Sequence, residues 1–444
     1  METIDQLEDA TVNLRETRAV RTPGRRKPRV LILPNVASWI VGQMATQIIE
    51  RFKDKYDFWI LTEKVIRLRP DLVKALIPEM DFIFPLADKT FTLLRAAAGS
   101  VPLPPAIFWL HHITSWNPSI LAAAKEASEL IACTPEWKSA IEDECPEASV
   151  TVVRHGVDAQ FFRKVERQRA RFGMRRDGFV IGVVGSKTSN FDHGRKGLGT
   201  LELVLRKVRD HVPKLHVCFL GLGWDAEVSQ FQQKGISANY TGFVPHSSLP
   251  AFYSSIDVHL VTARVEGGPV TVMEAMACET PVVATRVGLV PHTIVDGENG
   301  FSAAIGDVEA LTHALQNLWA SAALRRSIGS AARMTVSPSM SWHRVLDALE
   351  EPLARMEARS GHAVTSSFTS NAKTAAQLAG AVHTMDGLLW GIMSWWDGLL
   401  TAPVAGRLVK ACWEGHGASD VLRGIGLATR TSFRPAALQK KRVA

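Results

Sequence analysis

The sequence predicts two consecutive doubly wound α/β domains followed by a helical extension. Short β-branched and leucine-rich runs alternate with segments whose apolar residues recur at helical spacing. Strands that alternate with helices build a parallel sheet with helices on both faces. The length of 444 residues, at roughly 150 residues per domain, fits two or three domains. The predicted organisation is a basic arm at 1–28, domains at 29–155 and 156–345, and a helical extension and tail at 346–444.

The first series of elements starts at Arg29. RVLILPN predicts a strand because its apolar residues are continuous, and SWIVGQMATQIIERF predicts a helix because its apolar residues recur at helical spacing. Four further strands or strand starts of the same buried type follow: DFWILTE, DFIFPL, AIFWLHH and ASELIACT. This half therefore has the alternation of a parallel sheet.

A second series of strands begins near residue 150. Its runs are VTVVRHGVD, GFVIGVVGS, LHVCFLGLG, ANYTGFV, DVHLVTA and TPVVATRVG. The helices predicted between them lie around Leu198 to His211, Leu249 to Ser255 and Val270 to Ala277. Ligands of such folds bind beyond the carboxyl ends of the strands, so we expect the chemistry in the polar loops that follow these strands.

The composition predicts a globular protein with an uneven charge. With 46% hydrophobic and 21% charged residues, the chain can bury substantial cores. The net charge is +7, and basic residues crowd before the first strand: Arg15, Arg18, Arg21, Arg25, Arg26, Lys27 and Arg29. A solvated arm explains this cluster as well as an arm that attracts polyanions does. We expect no nucleic-acid partner, and an anionic membrane surface stays open.

The cysteines and the N-terminal residues bear on the compartment. The five cysteines are widely spaced and lack any C-x-x-C pair, which disfavours both a disulfide framework and a zinc site. The N-terminal residues carry early acids and no apolar core of a secretory signal. We therefore expect a cytoplasmic protein, with membrane association as an open addition.

The tail after Ser360 changes from a Ser/Thr/Ala-rich linker to the apolar run AVHTMDGLLWGIMSWWDGLL. This run is broken by Asp397 and is too short to span a bilayer. Two interpretations remain open for its tryptophans, Trp390, Trp395 and Trp396. The segment packs against the N-terminal domain, or it lies on an anionic membrane, because tryptophan favours the headgroup boundary.

The most informative stretch runs from Asp257 to Gly288. A buried strand is followed by a Gly-Gly-Pro turn, and Pro269 stands just before a helix that opens near Val270. The amides of Gly268, Val270 and Thr271 then face the carboxyl edge of the sheet, where N–H groups and the helix dipole stabilise an anion. Such a site suits a diphosphate.

Two carboxylates flank this turn. Glu266 and Glu274 stand eight positions apart, and a carboxylate accepts paired hydrogen bonds from adjacent hydroxyls of a ribose or a hexose. The pair resembles the E-x7-E motif of the retaining GT-B glycosyltransferases of family 4 (glycosyltransferase group 1), and the match extends through EAMA, TPVVAT and IVDGENGF. A helix-capping role for one glutamate is the alternative.

The resemblance covers roughly residues 150–345 and implies a GT-B architecture, in which two Rossmann-like domains face an interdomain cleft. It implies that Glu274 holds the ribose hydroxyls of the donor nucleotide and that Glu266 holds hydroxyls of the transferred sugar. By the same resemblance, Lys196 neutralises the donor diphosphate and Arg195 assists it. The family's turn arginine is absent; Lys187 or Arg195 takes its place, and a solvated loop charge is the alternative for Lys187.

The resemblance also assigns the nucleobase and the acceptor side. The backbone of Gly242, Phe243 and Val244 is expected to contact the base, after the glycine turn of Leu220-Gly-Leu-Gly. His111 and His112 end the strand AIFWL, where the family's acceptor-side histidine commonly lies. A histidine that merely satisfies a strand end is the competing interpretation for both.

Two further residues depart from the family pattern. His155 replaces an asparagine in the link between the domains, so the hydrogen-bonding role of that position is in question. Glu279 replaces a glycine after the predicted helix. A glutamate fits there if the residue need not adopt a positive φ, and we expect its role to be structural.

The predicted function is transfer of a sugar from a nucleotide-diphosphate donor with retention of configuration. No D-x-D sequence occurs, so we expect no metal and no cofactor, with the leaving charge stabilised by Lys196, Arg195 and the helix N-terminus. The acceptor is a glycan, a lipid-linked molecule or a small molecule. A catalytically inactive relative acting as a scaffold is the alternative. A nicotinamide dehydrogenase is a second alternative. It is disfavoured because the G-x-G-x-x-G motif of such enzymes does not follow the first strand.

Overall fold

The structure is a computed structural model that describes residues 26–35, 40–68, 70–111, 118–187 and 194–360. Every strand pairing among these residues is parallel. The basic arm before residue 26, the tail after residue 360 and His112 lie outside the described residues, so the predictions made for them stay predictions. No described helix is both long and apolar enough to cross a membrane.

The N-terminal half contains two three-stranded sheets, with strand orders β2-β1-β3 and β4-β5-β6. A parallel bridge between Ile83 and Ala106 brings β3 beside the chain that enters β4. The strands are β1 Arg29–Leu33, β2 Asp57–Ile60, β3 Phe82–Pro85, β4 Ile107–Leu110, β5 Glu129–Ala132 and β6 Val150–Val152. The helices are α1 Ile40–Phe52, α2 Glu63–Leu68, α3 Pro70–Leu76, α4 Asp88–Ala98, α5 Pro118–Glu126 and α6 Pro135–Glu144, with a 3₁₀ turn at Ile77–Glu79.

The C-terminal half contains one six-stranded sheet with the order β12-β11-β10-β7-β8-β9. Its strands are β7 Phe179–Val184, β8 Leu215–Leu220, β9 Ala238–Gly242, β10 Val258–Val261, β11 Val282–Thr285 and β12 Phe301–Ala303. Its helices are α7 Leu198–His211, α8 Asp225–Gln233, α9 Leu249–Ser255, α10 Val270–Ala277, α11 Val290–Thr293, α12 Val308–Ala320 and α13 Ala322–Ser339, with 3₁₀ turns at Arg169–Phe172 and His246–Ser248.

The strand order reverses between β7 and β10. From β7 the chain builds β8 and β9 on one side, and from β10 it builds β11 and β12 on the other. The loops that leave two such neighbouring strands diverge and open a crevice outside their carboxyl ends. The structure therefore places the main crevice of this half at the ends of β7 and β10.

After the six-stranded sheet the chain returns to the N-terminal half through α14 Trp342–Val345, a 3₁₀ turn at Leu346–Leu349 and α15 Glu350–Arg359. Leu346, Leu353 and Met356 are fully buried in one apolar cluster with Val30 of β1. Arg355 donates at 2.7 Å to Glu129, which is fully buried at the start of β5. The two halves are therefore joined by a crossing segment as well as by the link near residue 155.

The structure confirms most predicted elements. The three helices named from sequence are observed at Leu198–His211, Leu249–Ser255 and Val270–Ala277. The edge strand β12 was not predicted because its three residues are too few for a periodic pattern. The four described cysteines, Cys133, Cys145, Cys218 and Cys278, are buried and form no disulfide.

Glu279 has a positive φ of 57°, although a glutamate was expected to fit at this position only if a positive φ is not needed. It ends α10 in a Schellman motif, in which its own N–H bonds to the Met276 carbonyl and the N–H of Thr280 bonds to the Ala275 carbonyl. This motif needs the left-handed conformation that glycine adopts without strain. Its carboxylate reaches Lys164 at 3.0 Å. The glutamate is structural, and it occupies a strained position.

Candidate functional site

A cavity with a volume of about 490 Å³ lies in the crevice between the two halves. This volume is within the range of small-molecule sites, about 300–1,000 Å³. Its N-terminal wall includes Asn35 and Met44. Its C-terminal wall includes the loops that follow β7 and β10, where the strand order reverses. The predicted residues that line it are His111, Arg195, Lys196, Phe243, Val244, Glu266, Gly268, Pro269, Val270, Thr271 and Glu274.

The loop after β10 brings α10 to the cavity. Pro269 stands at the N-cap position and the helix begins at Val270, so the start of the helix, with its partial positive charge, lies at the crevice that Val270 and Thr271 line. The loop lies against the N-terminal half so closely that a Cβ on Gly267 would come 1.5 Å from the His111 carbonyl oxygen. Glycine is therefore required at this contact, which sets the position of the helix N-terminus across the cleft.

Glu274 lies one turn inside α10 and is only 6% exposed. Its Oε2 accepts a 2.7 Å hydrogen bond from the Tyr253 hydroxyl of α9. Burial raises the pKa of the Glu274 carboxyl to about 7, although the Tyr253 hydrogen bond lowers it. A buried carboxyl with one oxygen held by a tyrosine is suited to recognise a hydroxyl donor with the other oxygen.

Two cations converge on Glu266. Arg195 Nη1 and Lys196 Nζ both lie 2.8 Å from Glu266 Oε1, and all three side chains are largely buried. Gly197, the residue after Lys196, has a φ of 67° and passes close to Thr262. Only glycine fits there, because a Cβ would come 1.9 Å from the Thr262 carbonyl oxygen. The loops after β7 and β10 thus bring two positive charges and one negative charge to the crevice where the strand order reverses.

Thr271 is oriented by a histidine beneath the helix. His259 of β10 is fully buried and its Nδ1 lies 3.1 Å from the Gly182 carbonyl oxygen, which can only accept. Nε2 is 3.1 Å from the Thr271 hydroxyl, and burial lowers the pKa of His259 to about 4. The neutral ring therefore donates from Nδ1 and accepts the Thr271 proton at Nε2, which holds the start of α10 against the sheet.

Two predicted donor residues do not line the cavity. Lys187 Nζ pairs with Glu227 Oε1 at 2.7 Å, so its charge is neutralised within the protein. Gly242 ends β9 with a φ of 82°, and its carbonyl accepts from the Gly221 N–H at 2.9 Å. Arg195 is thus the second cation next to Lys196.

A cluster of His111, Cys133 and His155 on the N-terminal side was not predicted from sequence. His111 Nδ1 lies 3.0 Å from His155 Nε2, and Cys133 Sγ lies 3.3 Å from the same His155 atom. Burial raises the pKa of the Cys133 thiol to about 12. The available signal was that the three residues follow three consecutive strands at equal spacing, 22 positions apart.

Both ring nitrogens of His111 are engaged within the protein, because its Nε2 lies 2.7 Å from the Leu86 carbonyl oxygen. His155, which replaces an asparagine of the family pattern, bonds from Nδ1 to the Gly268 carbonyl oxygen at 3.1 Å. His155 therefore connects the N-terminal half to the loop that carries the helix N-terminus.

Part of the chain matches a known protein family. Residues 168–335 match the family model described as glycosyl transferases group 1. The GDP-mannose-dependent alpha-(1-6)-phosphatidylinositol monomannoside mannosyltransferase of Mycolicibacterium smegmatis is 32% identical over 177 residues, 37% of this chain and 46% of that protein. The D-inositol 3-phosphate glycosyltransferase of Mycobacterium marinum is 29% identical over 214 residues, 46% of this chain and 44% of that protein. The chain thus spans less than half the length of either relative.

Solved structures extend the likeness to the fold of both halves. A sucrose-phosphate synthase from Thermosynechococcus elongatus superposes with a TM-score of 0.60 at 18% identity, covering 76% of this chain and all of that one. The Anabaena protein HepE, solved with UDP and glucose, gives a TM-score of 0.59 at 17% identity, with 74% of this chain and all of that one covered. The chain has the GT-B fold, and its residues 168–335 match the family model of the glycosyl transferases group 1.

Proposed function

We propose that the protein transfers a sugar from a nucleotide-diphosphate donor to a hydroxyl acceptor, with retention of anomeric configuration and without a catalytic metal, as in the family 4 enzymes that its motif resembles. The observation that carries the proposal is the convergence of Lys196, Arg195 and Glu266, all within 2.8 Å contacts, beside the N-terminus of α10. The cations and the helix dipole suit an anion, and the carboxylate suits sugar hydroxyls.

The donor has a consistent placement along the C-terminal wall. Its diphosphate lies between Lys196, Arg195 and the first-turn amides of α10, which carry partial positive charge. Its ribose hydroxyls donate to the Glu274 oxygen that Tyr253 leaves accessible, since the tyrosine occupies Oε2. The base lies toward Phe243 and Val244, which line the same cavity.

The chemical step needs stabilisation of a leaving group. The bond between the anomeric carbon and the phosphate oxygen breaks, and the bond to the acceptor oxygen forms on the same face of the sugar. The acceptor proton passes to the leaving diphosphate, so no protein nucleophile is proposed. Lys196 and Arg195 stabilise the charge that grows on the diphosphate, which is preorganised electrostatic catalysis.

Glu266 orders the cations before the donor binds. Its carboxylate neutralises one of the two positive charges, so the trio carries one net positive charge. When the diphosphate takes over these cations, the Glu266 carboxylate becomes an acceptor for hydroxyls of the transferred sugar. His111 and His155 form the opposite wall, toward the acceptor.

Thermal stability measured across a panel of nucleoside diphosphates and nucleotide sugars tests the proposal. A ligand at a hundred times its dissociation constant stabilises the folded state by about 2.7 kcal/mol, so a fitting nucleotide raises the melting temperature clearly. Glu274→Ala serves as the control that removes the ribose contact. A panel in which no nucleotide stabilises the wild-type protein overturns the donor site.

A further inference from the structure

Three potential metal ligands meet at the carboxyl ends of three adjacent strands. His111 follows β4, Cys133 follows β5 and His155 stands shortly after β6, and these strands are neighbours in one parallel sheet. Their ligand atoms Nδ1, Sγ and Nε2 all lie within 4.8 Å of one another. The convergence follows from the sheet, since equivalent positions after parallel strands lie along one edge.

The hydrogen bonds of the two histidines determine where their protons are. His111 Nε2 lies 2.7 Å from the Leu86 carbonyl oxygen, and His155 Nδ1 lies 3.1 Å from the Gly268 carbonyl oxygen. A carbonyl only accepts, so these two nitrogens carry the hydrogens. In neutral rings the remaining nitrogens, His111 Nδ1 and His155 Nε2, are both acceptors.

These two acceptor nitrogens face each other at 3.0 Å. Two lone pairs at that distance repel unless a positive species lies between or beside them. The Cys133 thiol has one proton and can donate it to only one of the two nitrogens. An additional proton or a metal ion at this point would remove the repulsion between them.

The spacing of the ligand atoms fits a small tetrahedral ion. Zinc bonds of about 2.0–2.1 Å to nitrogen and 2.3 Å to sulfur place tetrahedral ligand atoms roughly 3.3–3.6 Å apart. The three separations here are 3.0, 3.3 and 3.8 Å. Metal-bound histidines also donate their second N–H to a carbonyl or carboxylate, and both histidines do so here.

We propose that His111, Cys133 and His155 bind one divalent zinc ion, with a fourth coordination position for water on the cleft side. Binding converts the Cys133 thiol to a thiolate and releases its proton to solvent. The fully buried Trp109 stacks on His111 at 5.5 Å and holds this ligand in place. The zinc holds His155, and through its Gly268 contact the loop before α10, against the N-terminal half.

This ion is separate from a diphosphate-bridging metal. Its ligands are one thiolate and two imidazoles, which suit zinc, whereas magnesium and manganese prefer carboxylate and carbonyl oxygens. It lies on the N-terminal wall, and the proposed diphosphate position lies on the C-terminal wall beside Lys196. The site stands whether or not the protein transfers sugars, since it rests on these side chains alone.

The test measures metal binding by the untagged full chain. After purification without a polyhistidine tag, zinc per chain is determined by elemental analysis, and cobalt is titrated into the metal-free protein as a spectroscopic substitute. We expect one ion per chain and a sulfur-to-cobalt charge-transfer band. His155→Asn retains an N–H donor for the Gly268 carbonyl, and Cys133→Ser is nearly isosteric, so both variants should fold; each should weaken binding by roughly 100-fold or more.

Cys145→Ser and Cys412→Ser are the matched controls, because they remove a thiol elsewhere and should keep full metal binding. Circular dichroism confirms the fold of every variant. A wild-type protein that binds no ion at micromolar free zinc overturns the proposal and leaves a proton shared between the histidines. Cobalt binding that survives in both Cys133→Ser and His155→Asn also overturns it.

Discussion

The Tyr253 hydroxyl donates a 2.7 Å hydrogen bond to Oε2 of Glu274, and this contact orients the deepest carboxyl of the cleft. Both side chains are buried, so neither rotates without breaking packing between α9 and α10. The tyrosine uses one carboxyl oxygen and leaves the other to a ligand. One oxygen of the Glu274 carboxyl therefore has a structural role, and the other oxygen is available to bind a ligand.

Glu274→Ala should weaken nucleotide diphosphate binding by about 1–3 kcal/mol, roughly 5- to 150-fold, because ribose hydroxyls lose their buried acceptor. Tyr253→Phe is the matched variant. It removes the hydrogen bond but keeps the carboxyl, so its loss of affinity should be smaller. Calorimetric titration measures both. Unchanged affinity in Glu274→Ala removes the assignment of this residue to the ribose.

The pH dependence of binding follows from the same carboxyl. Burial raises the pKa of Glu274 to about 7, so the residue contributes stability that is fully present below its ordinary pKa and is lost as the pH rises through about 7. Ribose recognition needs the ionised acceptor. Nucleotide affinity should therefore rise about tenfold between pH 6 and pH 8 as the carboxylate forms.

Glu274→Gln is the control for that titration. Ionisation of the nucleotide phosphates affects wild type and variant alike, so the difference between their profiles reports Glu274. Parallel profiles for the two proteins across pH 6 to 8 would show that Glu274 does not titrate in this range or does not contact the ligand.

Lys196→Ala should lower kcat at saturating donor by roughly 100- to 1,000-fold, because the lysine stabilises charge that develops as the glycosidic bond breaks. Lys187→Ala is the matched control, since Lys187 pairs with Glu227 at 2.7 Å and does not line the cavity. Steady-state kinetics of both variants tests this. Equal losses of kcat in the two variants would contradict a specific role of Lys196 in stabilising the leaving group.

Glu279→Gly should be more stable than Glu279→Ala by about 1 kcal/mol, because only the glycine relieves the left-handed conformation at φ 57°. Both variants lose the contact with Lys164, so their difference isolates the backbone term. Chemical denaturation gives the two free energies of unfolding. If Glu279→Ala equals or exceeds Glu279→Gly in stability, the strain at this position is not real.

The strands and the α10 loop were predictable because their signals are local. Continuous apolar runs mark β7 and β10, and the Gly-Pro turn marks the start of α10. The sequence also pointed to Lys196, Glu266 and Glu274, which the fold brings to one cleft. Their partners were less predictable, because the Lys196 contact with Glu266 joins residues 70 positions apart, and one sequence carries no signal of such pairing.

Two further features could not be predicted because they also depend on contacts between residues distant in the sequence. They are the packing of α15 against the N-terminal half and the cluster of His111, Cys133 and His155. Leu353 and Met356 are fully buried, yet their helical spacing does not state which half they cover. His111, Cys133 and His155 have no metal-ligand spacing in the chain, and they meet only because three adjacent strands end at one edge. Tertiary placement, not local pattern, creates that cluster.

Release of nucleoside diphosphate from nucleotide sugars by the purified protein is the decisive test of the proposed sugar transfer. The assay runs with wild type and Lys196→Ala, in EDTA and again with added magnesium. We expect release from at least one donor by the wild type, the same rate with and without magnesium, and near-complete loss in Lys196→Ala. A wild-type protein that cleaves no donor in either condition, or a Lys196→Ala variant as active as wild type, would contradict it.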